Sequence, residues 1–262
     1  MKTLSQRELA SKLKELGIKK GDNLVVHSSM RSLGPVEDGA DGVVDTLLEC
    51  IGPMGLLVMP TFAWSKQFNP ELTPSKTGAL TEVFRKRTQT VRSFHPTHSV
   101  AACGKDAIAL CEDHHLQPAL GKDSPLDRLA KKDGGILLIG VSHDRNSTIH
   151  IGEAYANVPY LDIASINKPK YMTIYTPKPM VVELKMPPGC SRGFNKIESV
   201  FKENNVVEYL SIGSCLIQWV KSQDVIDITV RVLNEDPGYL LCEDKDCVHC
   251  TQARKSLAKS IT

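Results

Sequence analysis

Within LLIGVSHDRNSTIHIGE, residues 137–153, an apolar run gives way to a polar loop that ends in His150 and Glu153, three positions apart. On a helix that spacing puts imidazole and carboxylate on one face. A carboxylate beside an imidazole fixes the ring's orientation and stabilises the charge the ring gains with a proton, so the pair suits general-base chemistry. The same side chains could instead lie on a solvated helix face, and as an H-x-x-E metal site they would supply only two ligands.

Three more polar loops carry groups of interest. VVHSSMRSLG, residues 25–34, places His27, Ser28, Ser29 and Arg31 after an apolar run, with Gly34 and Pro35 turning the chain. Hydroxyls, backbone N–H groups and a guanidinium in one loop suit a phosphate or pyrophosphate. An ordinary polar turn is the competing reading, because neither a Walker nor a Rossmann glycine pattern is present. RSFHPTHSV, residues 92–100, carries Arg92, His95, His98 and Ser99 around Pro96, and either histidine could equally be a turn residue bonded to backbone. GKDSPLDRL, residues 121–129, sets Ser124 at a helix start with Arg128 one turn on.

The segments that hold these loops alternate strand and helix. DNLVVHSS, GLLVMPTF and ILLIGV read as buried strands. SQRELASKLKELG, DGADGVVDTLLECIG, TGALTEVFRKRTQ and SPLDRLAKKDGG read as helices, the first opened by Ser5 and closed by Gly17. VRSFHPTHSVAACG looks like a strand broken by a proline turn, and the helix that carries His150 should begin at Asn146 or Ser147. From about residue 167, YMTIYTPKPMVVEL predicts a β-hairpin. The expected fold is α/β: a central mixed sheet flanked by helices, with a more antiparallel C-terminal half, forming a single domain over residues 1–262. Function is then expected in the loops after the strands.

Composition narrows the partners. The 32 basic and 30 acidic residues are interspersed and leave a net charge of +2, which gives no reason to expect nucleic acid. No window approaches the roughly 18 apolar residues of a membrane span, and the first helix lacks the features of a signal peptide, so a cytoplasmic protein is expected. Of eight cysteines, three fall in CEDKDCVHC as Cys242, Cys247 and Cys250. They could bind a structural zinc with His249 or a distant cysteine such as Cys190 or Cys215 as fourth ligand. A second C-x-x-C pair is missing, so the favoured reading is reduced surface cysteines with an incidental histidine, and no residue is assigned to a metal.

LVVHSSMRSLG, VMPTF, VRSFHPTHSVAACG, GKDSPLDRL and ILLIGVSHDRNSTIHIGE, in this order, resemble the aminoglycoside 3-N-acetyltransferase family, whose fold is distinct from the GNAT fold. The resemblance spans residues 4–160 and continues more weakly through YLSIGSCLIQWVKSQDVID. It implies acetyl-CoA as cosubstrate, with Ser28, Ser29 and Arg31 on the phosphate and pantetheine side and Ser99 and Ser124 as further cofactor-side positions. It matches His150 and Glu153 to the family's catalytic histidine and nearby carboxylate. The acceptor implied is the 3-amino group of the 2-deoxystreptamine ring of an aminoglycoside. Such a polycation calls for local acidity, for which Glu153, Asp123 and Asp144 are candidates. The segment after MPTFAW, about residues 63–78, is shorter than in larger relatives and of mixed charge, with Lys66, Glu71 and Lys76. Another small amine is therefore an alternative acceptor, and a non-catalytic ligand- or zinc-binding protein is the alternative from a different class.

Overall fold

The computed structural model describes residues 3–65, 67–165 and 168–260; Lys66 lies outside them. The chain opens with α1 (Gln6–Glu15), where Ser5 accepts from the Glu8 N–H and the Glu8 carboxylate accepts from the Ser5 N–H, a capping box. β1 (Asn23–Ser28), the one-turn α2 (Met30–Leu33), α3 (Gly39–Ile51) and β2 (Leu56–Pro60) follow. Next come β3 (Gln67–Phe68), α4 (Ala79–Arg85), β4 (Val91–Arg92), β5 (Val100–Gly104) and α5 (Ala107–Cys111). α6 (Pro125–Ala130), β6 (Gly135–Ile139) and α7 (Ile149–Ala156) complete the half that carries the four loops. The remainder supplies β7 (Tyr171–Ile174), β8 (Met180–Glu183), α8 (Glu198–Glu203), β9 (Val207–Ile212), β10 (Cys215–Lys221), α9 (Ser222–Glu235) and α10 (Val248–Ser260).

Seven strands form a mixed central sheet in the order β4-β5-β2-β1-β6-β10-β9. The three inner strands, β2, β1 and β6, are parallel, and every pairing outside them is antiparallel. The apolar runs LLV and ILLI are buried on both faces, as inner parallel strands must be. Alternation divides their side chains. Leu24, Val26, Leu57, Leu137 and Ile139 face α1, α3 and α4, while Val25, Leu56, Val58, Ile136 and Leu138 face α5, α6, α7 and α9. The hairpin of β7 and β8 forms as expected, with Tyr171 opposite Glu183, but joins β3 in a separate three-stranded sheet. Among the described residues no helix is long and apolar enough to cross a membrane.

Two helix boundaries differ from the sequence reading. The helix of SPLDRLAKKDGG stops at Ala130 because Asp133 takes a left-handed φ of 56° and the Gly134 N–H folds back to the Leu129 carbonyl at 3.0 Å. α7 starts at Ile149, with Thr148 at its N-cap rather than Asn146 or Ser147. The Asn146 side chain is engaged one step earlier, where its Oδ1 accepts from the Thr148 N–H at 3.2 Å.

Candidate active site

β1 and β6 are parallel neighbours, so the loops that leave their C-terminal ends emerge side by side. The first is pinned there: the Ser29 N–H donates to the Ile139 carbonyl at the end of β6 at 2.8 Å, and the Ser29 side chain caps α2 by accepting from the Ser32 N–H. The second turns sharply at Gly140, whose φ of 63° and close approach to Ser32, where a Cβ would collide with the Ser32 Cβ, admit only glycine. The chain then runs through a 3-10 turn, His143–Arg145, into α7.

At the first turn of α7, His150 Nδ1 and Glu153 Oε2 are 2.6 Å apart, and both side chains are buried. A bond this short between nitrogen and carboxylate oxygen requires the proton to lie between them. In the neutral ring that leaves Nε2 with the lone pair, the tautomer a base needs. Phe194 meets the ring edge-on at 4.7 Å between centroids, and the Tyr160 hydroxyl reaches Glu153 Oε1 over a long 3.5 Å. Burial raises the Tyr160 phenol well above its ordinary value, with the Glu153 charge adding to the effect.

His150 lines a cleft of about 840 Å³. Ser28, Ser29 and Arg31 lie on the same wall system, so four expected site residues meet in one cavity and Glu153 stands directly behind. Its described lining also includes His98 of the third polar loop, Asn146 and Ser147, read from sequence only as helix caps, and Phe62, Trp64 and Thr77, which sequence reasoning did not single out. Arg145 and Lys168 are further additions. With Arg31 and Lys76 they give the described lining four cationic side chains against one carboxylate, Asp144. Burial lowers the Lys168 ammonium below its ordinary range. Arg145 stood in plain view inside the quoted loop, but nothing in a linear sequence says which polar residues of a loop face inward. Lys168 arrives from a distant segment and had no signal at all.

Ser99 and Ser124, expected on the cofactor side, are both fully buried and do not line the cleft among the described residues. Ser99 Oγ donates to the Thr61 carbonyl at 2.8 Å and accepts from Arg92 Nε at 3.1 Å. Arg92 in turn donates to the carbonyls of Thr61 and Pro70 and stacks over Phe68, so this hydroxyl ties the loop after β2 to the sheet. Ser124 Oγ accepts from the Gly121 N–H at 3.3 Å and closes the turn into α6. Of the acidic candidates, Asp123 is paired with Lys131 at 2.9 Å outside the cleft.

Four histidines nearby are buried neutral. Burial holds His27 and His95 at about 3, with His143 and His115 respectively adding repulsion, and puts His98 and His114 well below the ordinary value of 6.5. His114 Nδ1 bonds Ser93 Oγ at 2.8 Å, and its ring lies 4.6 Å from that of His95. When the chain unfolds these rings regain their ordinary affinity for protons, so the unfolded state binds more protons below pH 6.5. The contribution of these rings to folding stability should therefore be constant above pH 6.5 and fall as pH drops below it, each ring contributing up to about 1.4 kcal/mol per pH unit. Glu198, held at about 2 chiefly by His143, whose Nε2 lies 2.9 Å from its carboxylate, loses its share only below its ordinary value of 4.5. Urea midpoints measured between pH 6.5 and 4.5 on the metal-free protein should fall, and fall less steeply when His95 and His114 are replaced by asparagine; an unchanged slope in those variants would contradict their neutral burial.

A buried histidine in contact with a carboxylate opens on a large cation-rich cleft at the C-terminal ends of parallel strands, an arrangement suited to a group-transfer enzyme. The sequence profile of the aminoglycoside 3-N-acetyltransferase family matches residues 25–234, and the chain belongs to that family. It is 32% identical over 237 residues to aminoglycoside N(3)-acetyltransferase IV of Salmonella sp, an alignment covering 88% of this chain and 87% of the relative. A crystal structure of AAC(3)-IVa, a histidine-to-alanine mutant in complex with a gentamicin, superposes with a TM-score of 0.87 at 30% identity over 98% of each chain. AAC-IIIb, solved in its binary complex with CoASH, shares the fold at a TM-score of 0.79 and 23% identity, over 89% of this chain and 97% of that one. The mixed α/β fold read from the sequence is thus the fold of aminoglycoside acetyltransferases.

Proposed function

We propose that the chain transfers the acetyl group of acetyl-CoA to an amine, namely the 3-amino group of the 2-deoxystreptamine ring of an aminoglycoside. The observation that carries this reading is the 2.6 Å contact between His150 and Glu153 on the wall of the cleft. An amine is mostly protonated at neutral pH and attacks a thioester only after losing that proton. His150 Nε2 takes it, and Glu153 holds the ring and the charge it acquires. The nitrogen lone pair forms the C–N bond to the acetyl carbon and the carbonyl electrons move onto oxygen. Collapse of that oxyanion breaks the C–S bond, the departing thiolate receives the proton from His150, and the freed imidazole takes the remaining extra proton from the new amide nitrogen and passes it to solvent. The Ser28 hydroxyl, on the cleft wall, is a donor suited to the oxyanion. The protein acts in the cytoplasm as one domain.

Arg31 and Arg145 suit the phosphates of CoA, as fits a family one of whose folds binds CoASH. Replacing either by alanine should raise the KM for acetyl-CoA about 10-fold or more and leave kcat nearly unchanged, with the difference shrinking at high salt. Steady-state kinetics at two ionic strengths checks this. A fall in kcat at unchanged KM would place the arginine elsewhere in the cycle.

The decisive assay is CoA thiol release from acetyl-CoA against a panel of 2-deoxystreptamine aminoglycosides with simple amines as controls. Release that saturates with a drug bearing a free 3-amino group, and vanishes when that amine is blocked, supports the reading. The excess of cations over carboxylates in the described lining favours a second reading in which a less cationic small amine is the acceptor. Release with such amines and none with any drug would establish it instead.

A further inference from the structure

Cys190, in the loop after β8, meets Cys242, Cys247 and Cys250 of the tail, all four sulfurs lying within 4.8 Å of one another. The tail cysteines are not on the surface: Cys242, Cys247 and Cys250 are all buried, and Cys190 is half-buried over them. His249, weighed as a ligand from sequence, points Nδ1 at the Cys190 N–H instead, and Cys215 belongs to the packing on the other side of the sheet.

We infer that these four cysteines form a structural zinc site that clips the cleft wall to the C-terminal helix. Tetrahedral zinc with Zn–S bonds of about 2.3 Å sets its sulfurs about 3.8 Å apart. The Cys190 and Cys242 sulfurs are already 3.8 Å apart. Each thiol surrenders its proton on ligation, so the centre carries two net negative charges, and the surroundings answer them. The Arg192 N–H points at Cys190 Sγ at 3.4 Å, Arg254 donates to the Cys242 carbonyl, and Lys196 donates to the Leu241 carbonyl at 3.0 Å. Glycines on either side of Cys190 let its loop approach the tail this closely: a Cβ on Gly189 would run into the His249 ring, and one on Gly193 would run into the Leu240 carbonyl oxygen.

The consequence reaches the active site. Pro188, Gly189 and Ser191, on either side of Cys190, line the cleft opposite the β1 and β6 loops, whereas the other three ligands lie about 50 to 60 positions further along the chain. A metal bridging them fixes one wall of the cleft to α10 without touching the reacting atoms.

The full chain, purified under reducing conditions without chelator and refilled with zinc, should hold one zinc per molecule by elemental analysis. Cys190→Ser and Cys250→Ser should lose it, while Cys103→Ser and Cys215→Ser keep it. Because a ligand variant could fail to fold, the unmodified protein provides the second measurement. Exchange into cobalt(II) should give the visible bands of a tetrahedral ion and the near-ultraviolet charge-transfer band of four thiolates. Stripping the metal should speed amide hydrogen exchange over residues 186–193 more than over β1 or β6. Zinc no higher than in Cys190→Ser, a cobalt spectrum without thiolate charge transfer, or disulfides among these four cysteines by intact mass would each overturn the site.

Discussion

His150→Ala should lower kcat by about 10²- to 10⁴-fold with little change in the KM for acetyl-CoA, because the variant keeps the cleft and its cations but loses the proton acceptor. The substitution also strands the Glu153 carboxylate, which is 6% exposed and has His150 as its only close partner apart from the distant Tyr160 hydroxyl among the described residues. A stability loss of about 1–3 kcal/mol should accompany the kinetic one. A urea titration separates the two effects, since a chain that is folded under assay conditions and inactive has lost chemistry rather than structure. Glu153→Gln sharpens the test. A glutamine preserves volume, but its amide N–H can donate to Nδ1 and so drive the ring proton onto Nε2, the wrong tautomer for a base. Its kcat should fall by a comparable factor while KM stays put, and its pH–rate profile should shift. Wild-type turnover in either variant would remove the pair from the mechanism.

The second large effect is expected from a residue that touches neither substrate. Gly152 stands between His150 and Glu153 on α7 and faces α9, where a Cβ would lie 2.5 Å from the Cβ and Cγ2 of Thr229. Alanine is the better helix former by about 1 kcal/mol, so helix propensity alone argues for Gly152→Ala being stabilising. The clash wins. Relieving a 2.5 Å contact with a fully buried Thr229 requires α7 and α9 to part by about 1 Å, which costs about 1–3 kcal/mol and moves the base. A displacement of that size at a reacting group costs roughly 10² in rate. Gly152→Ala should therefore lose about 10²-fold in kcat, and adding Thr229→Gly, which removes the opposing Cβ, should recover most of it. Thr229→Gly alone, with its cost of about 1 kcal/mol in a helix interior, is the control. A fully active Gly152→Ala would mean that the two helices can separate without disturbing His150.

The sequence sufficed wherever information is local. His150 and Glu153 lie within one helical turn, so their spacing put them on one face of the expected helix, and the structure closes them to 2.6 Å. Apolar runs bounded by turn residues identified β1, β2 and β6, and Ser5 with Glu8 identified the start of α1, because each signal is complete within a few residues. The resemblance across five motifs then supplied the family. Hydroxyl groups were harder to place. Ser28 and Ser99 both follow or precede buried strands in polar loops, yet one lines the cleft and the other is consumed by Thr61 and Arg92, a partnership across chain distances that no local pattern reveals. The same holds for Lys168 on the cleft, for Gly152 against Thr229, and for Cys190 brought to Cys242, Cys247 and Cys250. What residue types and short spacings determined by themselves was most of the elements and the pairing of His150 with Glu153; which distant side chains share a wall, a contact or a cluster was decided by tertiary packing, since sheet order and helix docking set those distances and chain separation does not.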